Sequence, residues 1–100
     1  MPIPKSLRII GKDYSVETSK KIDYGDDILH GMCIDTKCKI QISTEDDKQQ
    51  QKDTLVHEAI HAIDYAMDIG LKEKQVRLLG TAIYSLLNEN PELIEWILED

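Results

Sequence analysis

A chain of 100 residues with 41% apolar and 31% charged side chains makes one domain, near the lower limit for a self-sufficient core. A net charge of −7 and a pI near 4.8 argue against non-specific nucleic-acid binding. No apolar run approaches the roughly 18 residues of a membrane span. Met1-Pro2-Ile3-Pro4-Lys5 also lacks the apolar stretch of an export signal, so the expected setting is cytoplasmic.

The first half of the chain has the two-residue alternation of strands. Leu7, Ile9, Tyr14, Val16 and Thr18 alternate with polar neighbours around Gly11-Lys12-Asp13, which predicts a hairpin. Lys20 to Asp27 is polar, with a turn at Tyr24-Gly25-Asp26-Asp27; Ile28–Ile34 and Lys39–Ser43 are expected as two further strands. Cys33 and Cys38 suit opposite strands of a hairpin. Without an export signal they are expected as reduced thiols. Neither a C-x-x-C pair nor a second cysteine pair accompanies them, so packing is favoured over a metal site with His30.

The second half has helical spacing. Ser43-Thr44-Glu45-Asp46-Asp47 offers capping and dipole-compensating groups. Behind it, Leu55, Val56, Ala59, Ile60, Ala62, Ile63, Ala66 and Met67 recur at three- and four-residue steps until Gly70 stops the helix. A second helix is expected from about Lys72 to Asn88. Pro91 then opens a short third helix, whose packing face is Leu93, Ile94, Trp96 and Ile97. Trp96 and its apolar neighbours suit a core or a contact with another molecule. The expected architecture is therefore α+β, a single domain over residues 1–100, with 1–44 strand-rich and 45–100 helical. A small antiparallel or mixed sheet of about three to four strands packs on two long helices and a short C-terminal one.

The chemistry concentrates in His57-Glu58-Ala59-Ile60-His61, midway along the first helix. Histidines four apart project from one helical face, the separation two imidazoles need to grip one Zn²⁺. Glu58 is rotated off that face by about 100° from His57, too far to join the same bite yet close enough to reach a water there. This is the H-E-x-x-H pattern of zinc peptidases. The alternative is two polar histidines at the boundary of a core helix.

Catalytic zinc takes three protein ligands. The third has to come from His30, from Glu73 in the first turn of the second helix, or from Glu89, Glu92, Glu95, Glu99 or Asp100. Glu73 follows His61 by twelve residues, enough for the end of one helix, a turn and the entry of the next. It is equally a favourable dipole partner at a helix N-terminus. Gly80 falls near the Glu73 face of the helical wheel, and a glycine inside a helix points to close approach of another element there. Two neighbours are weighed beside these. Asp64 either accepts from the second ring nitrogen of His61 or is an exposed helix residue. Tyr84 is either an oxyanion donor or a core tyrosine with its hydroxyl at the surface.

Leu55-Val56-His57-Glu58-Ala59-Ile60-His61-Ala62-Ile63-Asp64-Tyr65, followed by Leu71 to Gly80, resembles small phage and prophage zincin-like proteins and the ImmA/IrrE class of gluzincin metallopeptidases. The likeness covers roughly residues 53–90. It implies that His57, His61 and Glu73 are zinc ligands and Glu58 the general base. The Ala-Asn pair typical of the second helix in that class is absent, with Val76-Arg77 near its place.

The expected function is a zinc-dependent peptidase acting on a peptide or protein. Zinc lowers the pKa of a water to about 7, and Glu58 takes its proton and passes it to the leaving amine. A strand such as 39–43, if at the sheet edge, would hold an extended peptide by main-chain pairing. The alternative is a catalytically weak or inactive zincin-fold binding module or phage accessory protein with a structural zinc. His30 as a fourth ligand would favour it, because structural sites are closed by four protein ligands.

Overall fold

The computed structural model describes residues 1–100. Six strands precede three helices: β1 (Ser6–Ile9), β2 (Lys12–Ser19), β3 (Ile22–Tyr24), β4 (Asp27–Leu29), β5 (Gly31–Ile34), β6 (Lys39–Ser43), α1 (Lys48–Met67), α2 (Glu73–Glu89) and α3 (Pro91–Leu98). The α+β class and the order of strands before helices follow the alternation of apolar residues. No helix is long and apolar enough to cross a membrane.

β1 and β2 form the expected hairpin, with Leu7 opposite Tyr14. Its turn is Ile10-Gly11 rather than Gly11-Lys12-Asp13, and both turn residues have positive φ, 46° and 79°. That is the sense of turn whose twist matches two antiparallel strands. Ile10 occupies a conformation a β-branched residue rarely takes. The main sheet runs β1-β2-β6-β5, with β2 and β6 parallel and the other pairs antiparallel.

Two expectations about the sheet change. Ile28–Ile34 is not one strand: it breaks at His30, so that β4 pairs with β3 in a separate two-stranded sheet while β5 pairs with β6. Strand 39–43 is not an edge, because β2 flanks it on one side and β5 on the other; the edges are β1 and β5, and β5 is the one beside α1. The Cys33–Cys38 loop is a hairpin connection holding a short 3₁₀ turn at Asp35–Lys37, with Cys33 in β5 and Cys38 in a left-handed junction (φ 48°). Both thiols are free and pack against the core. The core itself is Ile9, Tyr14, Val16, Ile40, Ile42 and Ala62, flanked by Leu55, Ala59 and Ile63 of α1. The Tyr14 hydroxyl donates to Asp35 Oδ1 at 2.5 Å, tying the centre of the core to the β5–β6 connection.

α1 starts where the acidic cluster predicts. Asp47 is the N-cap and its carboxylate accepts from the Gln50 amide at 2.8 Å. One side of α1 lies on the sheet through Leu55, Ala59 and Ile63, another meets β5, and a third meets α2. At the β5 contact the two elements nearly touch: a Cβ on Gly31 would lie 2.4 Å from Thr54 Cγ2 and 2.9 Å from the Gln41 carbonyl oxygen. α2 crosses α1 at Gly80, which faces His57 and Ile60. α3 departs from expectation. It has no buried residue, and Ile94, Trp96 and Ile97 face outward instead of forming a packing face.

Candidate metal centre

His57 and His61 sit one turn apart on α1, their ring centroids 5.0 Å from each other. Glu73, the first residue of α2, reaches both: its Oε1 lies 2.8 Å from His57 Nε2 and its Oε2 lies 3.0 Å from His61 Nε2. The three donor groups fall within 4.8 Å of one another. Two imidazole nitrogens and a carboxylate are a donor set of catalytic zinc. Bonds of about 2.0–2.2 Å to one tetrahedral ion put donors roughly 3.3 Å apart, close to these spacings. The residues present therefore fit the ion.

Glu73 arrives there because the chain doubles back between the helices, and Asp64 makes the turn. α1 ends on Asp68 in the left-handed conformation (φ 52°), with Gly70 also at positive φ (82°). The main-chain oxygen of Asp64 accepts from Ile69, at 3.2 Å, and its carboxylate Oδ1 accepts from the amides of Gly70 and Leu71, at 2.8 and 3.1 Å. Asp64 is therefore neither a partner of the His61 ring nor an exposed residue. It is buried and clamps the loop that delivers Glu73.

Glu58 is rotated off the histidine face toward β5, with its Cγ beside Gly31, and still lines the cleft that holds His57 and Glu73. It is only 7% exposed, and the Cys33 amide donates to its carboxylate. Burial above all, with the Glu73 charge second, pushes its carboxyl from an ordinary 4.5 up to about 7, against the lowering effect of that amide. In the metal-free protein such a carboxyl is ionised in part and protonated in part at neutral pH.

The cleft past this cluster has two unlike sides. On one, Gln50, Asp53, Thr54, Arg77 and His30 line a polar recess of about 300 Å³ that includes His57, Glu58 and Glu73. On the other, Tyr24, Met32, Cys33 and Tyr65 line an apolar recess shared with the same three residues and His61. Tyr65 escaped the sequence reading, although it follows His61 by the four residues that separate His61 from His57. Its ring stacks on His61 at 6.3 Å, and burial raises its hydroxyl above the ordinary value.

Tyr84 does not reach the cluster. It lies eleven residues along α2 from Glu73, about 16 Å at 1.5 Å per residue, and it lines neither recess. His30 is also outside the donor group; its Nδ1 pairs with Asp46 Oδ2 at 2.8 Å. The carboxylates Glu89, Glu92, Glu95, Glu99 and Asp100 belong to the far end of the helical half and take no part. The chain matches no protein-family model, no curated protein and no solved structure.

Proposed function

We propose that the protein is a zinc-dependent peptidase of minimal zincin-like build. The observation carrying this reading is the convergence of His57, His61 and Glu73 beside a buried Glu58 at an edge strand. His57, His61 and Glu73 would hold the ion. Zinc in such a site supplies Lewis acidity, which acidifies water and polarises a carbonyl.

The chain's own groups supply the rest. β5 offers a free edge. His30 accepts from Ser43 through its main-chain oxygen, so by alternation Gly31 and Cys33 turn their main-chain groups away from β6. An extended peptide laid along that edge would pair with Gly31 and with the Cys33 carbonyl, antiparallel strand addition that reads backbone more than side chain. The Cys33 amide holds the Glu58 carboxylate in the cleft beneath it. Glu58 takes a proton from water through its carboxylate oxygen and hands it to the departing amine. The Tyr65 hydroxyl, protonated at neutral pH, supplies the donor for the carbonyl oxygen, one of the two roles weighed for Tyr84. His30, engaged with Asp46, leaves a three-donor set, which favours the enzyme over a binding module with a structural zinc.

The test is Glu58→Gln. The variant is expected to bind about one zinc per chain, as wild type does, and to lose peptide hydrolysis by a factor of about 10² or more. Equal hydrolysis by the two proteins removes Glu58 as the base. Failure of wild type to bind zinc ends the reading altogether.

A further inference from the structure

The chain exposes more surface than a folded monomer of its size. Its accessible surface is 7400 Å², whereas a folded monomer of 11.4 kDa is expected to expose about 5,800 Å². The excess, about 1,600 Å², is twice the roughly 800 Å² that one partner contributes to a standard interface. Only 14 residues are buried, and on α2 only Val76 and Gly80.

Nine of the sixteen large apolar side chains left exposed lie on α2 and α3. Leu78 is 56% exposed, Leu86 49% and Trp96 70%, with Leu79, Ile97 and Leu98 also open. Leu78, Leu79, Ala82 and Leu86 span about 100° of the α2 wheel, the width of a buried helix face. They adjoin the face that carries Val76 and Gly80 against α1. α2 is thus apolar on two sides and covered on one.

We infer that the open side is the interface of a two-fold dimer of this chain, α2 packing antiparallel on α2 of a second copy about Ala82. The sequence has the required self-complementarity. Ala82 stands midway between Leu78 and Leu86, so an axis through it sets Leu78 on Leu86 of the second copy, with a small residue at the closest approach. Charge selects the same orientation. The entry of α2, Lys72-Glu73-Lys74, is net positive, while its exit and the start of α3 carry Glu89 and Glu92. Antiparallel copies bring unlike ends together; parallel copies would oppose like ends and align the helix dipoles. An anionic lipid surface is a poorer occupant, because Glu92, Glu95 and Glu99 border the face.

Sedimentation equilibrium of the full chain tests this from about 1 to 100 µM, within the span of affinities such interfaces reach. The expected mass is twice the 11.4 kDa of the chain. Leu78→Glu and Leu86→Glu should each yield a monomer with an unchanged circular dichroism spectrum; Leu78→Gln and Leu86→Gln serve for any variant that fails to fold. Lys74→Glu should weaken association about tenfold, and adding Glu89→Lys should restore it. A wild-type monomer throughout the range overturns the inference. So does a dimer that survives both leucine changes, a double reversal that does not restore association, or a monomer captured by anionic vesicles through this face.

Discussion

Asp64 spends its carboxylate on the amides of Gly70 and Leu71 rather than on a histidine, so its effect on the metal cluster passes through Glu73. Asp64→Ala leaves two part-buried N–H groups without a partner and is expected to cost about 1–3 kcal/mol in a urea unfolding curve. Calorimetric titration should show zinc affinity down about 10- to 100-fold, while Asp64→Asn, which keeps an acceptor oxygen, should lose less. Glu58 makes a pH-dependent contribution of definite sign in metal-free protein. Its folded value, about 7, lies above the ordinary 4.5, so the stability it contributes is full below 4.5 and lost as pH rises through 7. With the metal chelated, Glu58→Gln should match wild type near pH 4.5 and exceed it above pH 7 by up to about 3 kcal/mol. A difference that does not change with pH would contradict the burial of an ionisable Glu58. At this scale helical spacing was enough to put His57 and His61 on one face with Glu58 rotated off it, whereas Glu73, on another helix, stood among several third-donor candidates until the family resemblance favoured it. The sequence reading missed the role of Asp64 because its partners, the amides of Gly70 and Leu71, depend on how the chain turns after Met67; for Tyr84, of its two alternatives, only the oxyanion donor is removed.

Two glycines show how the elements meet, and they should respond oppositely to alanine. At Gly31, β5 lies against α1, and an added methyl would meet the Gln41 carbonyl at 2.9 Å. Thr54 can rotate away but a strand carbonyl cannot. Gly31→Ala is expected to destabilise by about 1–3 kcal/mol and to shift β5, lowering hydrolysis as well. At Gly80 the nearest atoms to an added methyl are His57 Cα and Ile60 Cδ1, both 3.6 Å away, which is ordinary contact. Gly80→Ala should therefore be tolerated and should raise stability by up to about 1 kcal/mol, the helix-propensity difference. Thermal unfolding of the two variants decides both. Helices were legible in the sequence because their period and caps are local. Strand order was not: the parallel pairing of β2 with β6 skips Lys20 to Cys38, and nothing within Lys39–Ser43 says that it is flanked on both sides. The break at His30 was hidden for the same reason, since residues 28 and 32 are equally apolar but belong to different sheets.

Over the whole molecule, the two halves divide the labour. The sheet buries the core and supplies one edge strand, whereas the helical half supplies every donor of the cluster and most of the open apolar surface. The sequence showed α3 as apolar without showing what it covers, because a wheel reports amphipathicity and not the identity of the neighbour. The donors span only His57 to Glu73, one helical hairpin, while the Glu58 clamp needs Cys33 from a strand twenty-five residues earlier. Contacts close along the chain form early in folding, and distant ones wait for loop closure. The three donors can accordingly meet in a nascent hairpin before the sheet has assembled, whereas Glu58 reaches its buried place only when β5 docks. On the function proposed above, a half-folded chain would then be loaded with zinc but harmless to the peptides around it.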